Sequence, residues 1–189
     1  FCNPHNPIGK VYSRDELQTV ADVCVKHKLI MCSDDVHCDL ILNDKKHIPI
    51  ASLNEDIANL SITLMAPSKT FNIAGLDCAF AIIPNAKMRK QYSQLMYGLV
   101  GHVNILGTQA AVAAYKYGEP WRQQLITYLQ ANHQLILDRV NSIDGISMVA
   151  VSLVYQVVNF HHYIVDSRIW KLRKKKIREN LDIKDSRAE

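Results

Sequence analysis

Three short apolar runs, each stopping at a polar or ring-closed residue, constrain the fold of this chain more than any other feature. Leu29-Ile30-Met31-Cys32 leads to Asp34, Ser61-Ile62-Thr63-Leu64-Met65-Ala66 leads to a loop bearing Lys69, and Cys78-Ala79-Phe80-Ala81-Ile82-Ile83 is stopped by Pro84. Runs of this length between breakers read as strands. Phe1-Cys2-Asn3 reads as the end of another strand, after which Pro4 and Pro7 force an extended turn. Between the runs the period changes. Ser13 and Glu16 have capping-box spacing, and Leu17, Val20, Ala21 and Cys24 follow at helical intervals. Asn54 is placed to cap a short helix, and Asn85 a helix to about Tyr97. Residues 105–117 are Ala-rich and helical, and 119–142 read as a long amphipathic helix with Pro120 in its first turn. Strands alternating with helices, then long helices, predict an α/β domain with a mostly parallel sheet.

The placement of polar groups follows from that reading. In open α/β sheets ligands bind beyond the carboxyl ends of strands. Asn6, Asp34 and Lys69 each follow a predicted strand, so the three converge on one crevice. A lysine at the end of a buried strand is costly, because an ammonium is expensive to desolvate. A lysine joined to an aldehyde cofactor avoids that cost.

The 189 residues and 48% hydrophobic content suit one domain with a real core. No apolar run is long enough to span a bilayer, so no membrane span is expected. Cys2, Cys24, Cys32, Cys38 and Cys78 are scattered, with no Cys-x-x-Cys pair. That argues against zinc and for reduced thiols acting as small apolar residues in a cytoplasmic protein. His5, His27, His47, His102 and His133 show no ligand spacing and read as surface or satisfied histidines. Residues 1–150 hold 13 Lys+Arg and 13 Asp+Glu, so the whole net charge of +4 lies in 151–189. The body therefore predicts no nucleic-acid or membrane partner. The tail is apolar over 151–165 and strongly basic over 168–178. It reads as a reading-frame or gene-boundary change, as a solvated tail, or as a nucleic-acid or membrane contact. The chain lacks an initiator Met and opens inside a motif, so it reads as a fragment.

Three segments carry a resemblance: Asn3-Pro4-His5-Asn6-Pro7-Ile8-Gly9, Ser33-Asp34-Asp35-Val36-His37, and Ala66-Pro67-Ser68-Lys69-Thr70-Phe71-Asn72-Ile73-Ala74-Gly75-Leu76. In order and spacing they resemble the fold-type I pyridoxal-phosphate enzymes of the class I/II aminotransferase superfamily. The likeness is closest to the cystathionine β-lyase or C–S lyase branch, and it runs from residue 1 to about 150. It implies that 1–150 are part of a fold-type I large domain, with the small C-terminal domain missing or replaced in 151–189. It implies pyridoxal 5'-phosphate as cofactor and a homodimer with active sites at the interface.

The resemblance also implies roles. Lys69 joins the cofactor aldehyde and then removes the substrate Cα proton. Asp34 pairs with the protonated pyridine nitrogen, which requires Asp35 to point elsewhere. Asn6 donates to the phenolic oxygen. His37, where many aminotransferases carry tyrosine, supports that oxygen or shuttles protons. Ser68 reaches the phosphate. The plainer readings stand beside these: a snorkelling Lys69, Asp34 as a turn residue, Asn6 in an Asn-Pro turn and a structural His37. Asp77 stands where aminotransferases often carry a phosphate-binding arginine. It must point away, or phosphate binding is weakened. Tyr97 and Asn104 are candidates for a neighbouring site across a dimer. The implied reaction is β-elimination on cystathionine or a cysteine S-conjugate, giving pyruvate, ammonia and a thiol. The alternatives are an aminotransferase and an inactive remnant.

Overall fold

The computed structural model of the protein describes residues 1–146. The first helix, α1 (Arg14–His27), starts as its spacing predicts. Glu16 N–H donates to Ser13 Oγ at 3.3 Å, and Ser13 N–H donates to Glu16 Oε2 at 2.8 Å. The helix closes at Lys28, whose left-handed φ of 52° lets its N–H reach the carbonyls of Cys24 and Val25. One face of α1 buries Leu17, Ala21 and Cys24 against Met31, Ile50 and Ile57, and these six side chains form the core.

Strand β1 (Met31–Asp34) begins two residues later than the apolar run suggests. Leu29 N–H bonds back to Cys24 O at 2.9 Å, so Leu29 finishes the helix terminus, and Leu29 and Ile30 stay exposed. Pairing starts at Met31, whose N–H reaches Leu60 O at 2.9 Å. The turn Ile50–Ser52 and the short helix α2 (Glu55–Ala58) follow, with Asn54 Oδ1 accepting from Ile57 N–H at 3.1 Å as its cap. Strand β2 (Ser61–Met65) then runs parallel to β1, with Met31 opposite Ser61 and Asp34 opposite Leu64. Short helix α3 (Pro67–Thr70) and the turn Ala74–Leu76 lead to β3 (Phe80–Ile82), which lies antiparallel on the other edge of β2. The sheet is therefore mixed. An antiparallel neighbour needs no long crossover helix, and none lies between β2 and β3. Beyond β1, Cys2 forms a parallel bridge to Asp34.

Three longer helices complete the description. Asn85 caps α4 (Ala86–Met96), Asn104 caps α5 (Ile105–Tyr117), and α6 (Glu119–Asn141) carries Pro120 in its first turn. The chain divides into two units, Phe1–Gln134 and Leu135–Glu189. The first holds the sheet, α1 to α5 and most of α6. Of the second, the end of α6 and residues 142–146 are described, with Ser142 Oγ donating to Arg139 O at 2.8 Å. The predicted tail, 151–189, lies outside the described residues.

No described helix is long and apolar enough to cross a membrane, and the described residues hold no cluster of three or more metal-binding side chains. All five cysteines are free thiols. Cys24 is buried as expected, but Cys32 is exposed, because strand alternation turns it away from the face that buries Met31 and Ser33.

Candidate active site

The end of β1 sorts two adjacent acids onto opposite faces. Asp35 turns inward and is buried, accepting from Ser33 Oγ at 2.6 Å and meeting His47 Nε2 at 2.9 Å. Asp34 turns the other way, half-buried, with Oδ1 accepting from Val36 N–H at 3.3 Å. It lines an open cleft of about 1310 Å³. Leu64, Met65, Phe80 and Ala81 of β2 and β3 line the same cleft, as does the segment 96–104. Among the described residues, no basic side chain pairs with Asp34.

Lys69 stands on α3, five residues past Leu64, the partner of Asp34 across the strands. Pro67 opens that turn, since its fixed φ suits a first helical position. Pro67 and Thr70 are buried while Lys69 projects to solvent, and no acid among the described residues pairs with it. Ser68 is half-buried beside it. Asn6 lies past Cys2, exposed, with its N–H 3.5 Å from Cys2 Sγ. His37 is half-buried in the turn after β1, where its carbonyl accepts from Leu40 N–H at 3.0 Å. The carboxyl ends at Cys2, β1 and β2 run side by side in one direction, so Asn6, Asp34 and Lys69 leave the same edge of the sheet. The cleft itself takes in Asp34 but not Lys69, Ser68, Asn6 or His37.

The chain after Lys69 is held by packing. The Phe71 ring lies 5.7 Å from Tyr115 and 6.1 Å from Trp121. Gly118 makes room for it, since a Cβ there would come within 2.6 Å of the Phe71 ring. Asn104 caps α5 by accepting from Gly107 N–H at 2.7 Å and donates to Leu76 O at 3.1 Å, fixing the turn that carries Asp77. Asp77 is exposed, in the left-handed region at φ 49°, and lines the same cleft as Asp34. Asn104 is tied up in structural bonds, while Tyr97 is 84% exposed at the cleft wall.

The sequence family described as aminotransferase class I and II matches residues 1–180. The chain belongs to the aminotransferase class I and II family. The match runs past residue 151, where the resemblance in the motifs stops. Cystathionine beta-lyase PatB of Bacillus subtilis (strain 168) is 45% identical over 133 residues, covering 70% of this chain and 34% of that protein. Among solved structures, OvoB is similar with a TM-score of 0.76 at 47% identity, covering 79% of this chain and 40% of that one. Cystalysin from Treponema denticola, whose structure contains a pyridoxal 5'-phosphate cofactor, gives 0.71 at 36% identity, covering 73% and 35%. The chain thus spans about a third of the length of the curated relatives it matches. Its helices and mixed sheet are part of a fold-type I transferase.

In this class I/II chain several contacts have no signal in the sequence. Arg122 Nη1 donates to Asp39 O at 2.9 Å and Gln130 Nε2 to Leu42 O at 3.1 Å, so α6 holds the loop after His37. Both bonds span more than eighty residues and end on carbonyls, which carry no side-chain identity. Under the same loop, burial first, and then the carboxylates of Asp39 and Asp35, push the Cys38 thiol up to about 12. That thiol is unsuited to act as a nucleophile at neutral pH.

Proposed function

We propose that the protein represented by this chain is a pyridoxal-phosphate-dependent carbon–sulfur β-lyase. Its substrates are cystathionine or cysteine S-conjugates, and its products are pyruvate, ammonia and a thiol. The observation that carries the reading is the placement of Asp34 as the last residue of β1 and of Lys69 just past the carboxyl end of the adjacent parallel strand β2. The donor set fits the cofactor: among the described residues, an amine without an acidic partner and a carboxylate on a cleft without a basic one. When bound, pyridoxal phosphate supplies an electron sink for the pair left by breaking the substrate Cα–H bond.

Lys69 Nζ would hold the cofactor aldehyde, and its amine would serve as the base for the substrate Cα proton. The Asp34 carboxylate keeps a proton on the pyridine nitrogen. Asn6 would donate its side-chain N–H to the phenolic oxygen, and His37 would support that oxygen or move protons beside it. Ser68 Oγ donates to the phosphate. Asp77 opposes a dianion in its part of the cleft, which leaves the phosphate to the Ser68 side.

Free thiols throughout the chain fit a reducing cytoplasm. Leu95, Tyr97, Leu99, Ile105 and Leu106 are each more than two-thirds exposed, an apolar segment that suits burial in a homodimer. Light scattering of a soluble sample checks the dimer.

The deciding assay is pyruvate release from cystathionine with no α-keto acid added. Release establishes the lyase. Amino-group exchange that requires an α-keto acid, without pyruvate, makes the protein an aminotransferase, since the two reactions share their first proton transfer. A chain that holds the cofactor and does neither is an inactive remnant.

A further inference from the structure

Asp35 and His47 form a buried pair that the proposed chemistry does not use. The Asp35 side chain is 1% exposed and that of His47 is 12% exposed. Asp35 is held at both oxygens, by Ser33 Oγ at 2.6 Å and His47 Nε2 at 2.9 Å, while His47 Nδ1 is buried with no partner among the described residues. A buried pair that leaves one ring nitrogen orphaned is a poor source of stability, because desolvation offsets the attraction. Its geometry suits another task.

The pair closes the loop 36–46 over the end of β1. The turn bearing His37 begins on Asp35 itself, whose carbonyl accepts from Cys38 N–H at 2.9 Å. Neighbouring strand residues face opposite ways, so anchoring the Asp35 carboxylate inward aims Asp34 outward at the cleft. The next residue after His47 adds a clasp. Ile48 O accepts from Asn3 Nδ2 at 3.2 Å, and Asn3 N–H donates to Asp34 O at 3.0 Å. The bend at Asn3 and Pro4 leads through His5 to Asn6, the first residue of the turn 6–9. His47 thus stands where the segments bearing Asn6, Asp34 and His37 meet.

We infer that His47 is a positioning residue: through Asp35 it sets the direction of Asp34 and the start of the His37 turn. The inference rests on the proposed roles of Asp34 and His37, and the test separates the two. The full chain is compared with His47→Ala and His47→Gln, since a glutamine amide can donate where imidazole Nε2 now does. Should the alanine variant not fold, His47→Asn, whose amide falls short of Asp35, takes its place. The first readout is amide hydrogen exchange without cofactor. The alanine variant exchanges roughly tenfold faster over 35–40 while α1 changes less than about threefold, and the glutamine variant stays within about threefold of the parent. The second readout is pyridoxal phosphate affinity, weakened about tenfold by alanine and restored by glutamine. Unchanged exchange over 35–40, an equal rise everywhere, or a glutamine variant as impaired as alanine overturns the inference. A parent that takes up no pyridoxal phosphate sinks the lyase reading, while the exchange data still decide on His47.

Discussion

Gly107→Ala tests whether close approach of α5 to the turn 74–77 is required. A Cβ at Gly107 would meet Leu76 O well inside 3.0 Å, a separation that real Cβ atoms do not show. The obstacle is a backbone carbonyl, so no side chain can swing aside. Either α5 lifts or the turn shifts, and the 3.1 Å bond from Asn104 to Leu76 O lengthens or breaks. Overpacking of this kind costs about 1–3 kcal/mol. Losing the hydrogen bond adds about 1 kcal/mol. Against this, alanine gains at most about 1 kcal/mol of helix propensity, and less at Gly107, which lies in the first turn of α5. The clash wins, and the variant is destabilised by about 1–3 kcal/mol. Gly75→Ala is the control. That glycine sits in the same turn with nothing within 4 Å of an added Cβ, and its stability should change by less than about 0.5 kcal/mol. Urea unfolding at constant slope measures both. A Gly107→Ala chain as stable as the parent, or more so, would refute the reasoning.

Two further outcomes follow from the side-chain chemistry. Lys10 first, then Ser13, holds the exposed Glu16 carboxyl at about 2, below its ordinary 4.5, and Arg122 does the same for Glu119. A depressed folded-state pKa gives stability that is present above about 4.5 and lost as pH falls through about 2. Glu16→Gln should therefore lose less stability than the parent between pH 5 and pH 2 in urea titrations, by a small margin because the site is exposed. Equal losses would count against the Lys10–Glu16 link. With its thiol pushed up to about 12, Cys38 should be alkylated far more slowly at pH 8 than exposed Cys32. Peptide mapping after brief maleimide treatment reads this, and similar rates at the two residues would refute it.

Local rules made much of this structure legible. Ser13 and Glu16 marked the start of α1, and Asn54, Asn85 and Asn104 each cap a helix. Asn85 and Asn54 were readable because a side-chain oxygen that satisfies free N–H groups leaves a fixed spacing in sequence. The strand at 31–34 was offset, since Leu29 and Ile30 are apolar yet spent on closing a helix. The direction of β3 was not legible, because it depends on how the connection packs rather than on the strand's residues. Alternation requires Asp34 and Asp35 to part, and the resemblance turned Asp34 toward the site; the contact of buried Asp35 with His47, twelve residues away, has no pattern to mark it. Asp77 shows the same limit: its place in the cleft depends on a left-handed turn held by Asn104.

The central claim is that Lys69 is the cofactor lysine, and borohydride trapping tests it most directly. Pyridoxal phosphate is added to the purified chain and to Lys69→Ala, the visible absorbance is recorded, and both samples are reduced and mapped by mass spectrometry. The account predicts a visible band in the parent, a pyridoxyl group on Lys69, and neither in the variant. Label spread over other lysines such as Lys10 or Lys87, or a band that survives Lys69→Ala, would contradict it.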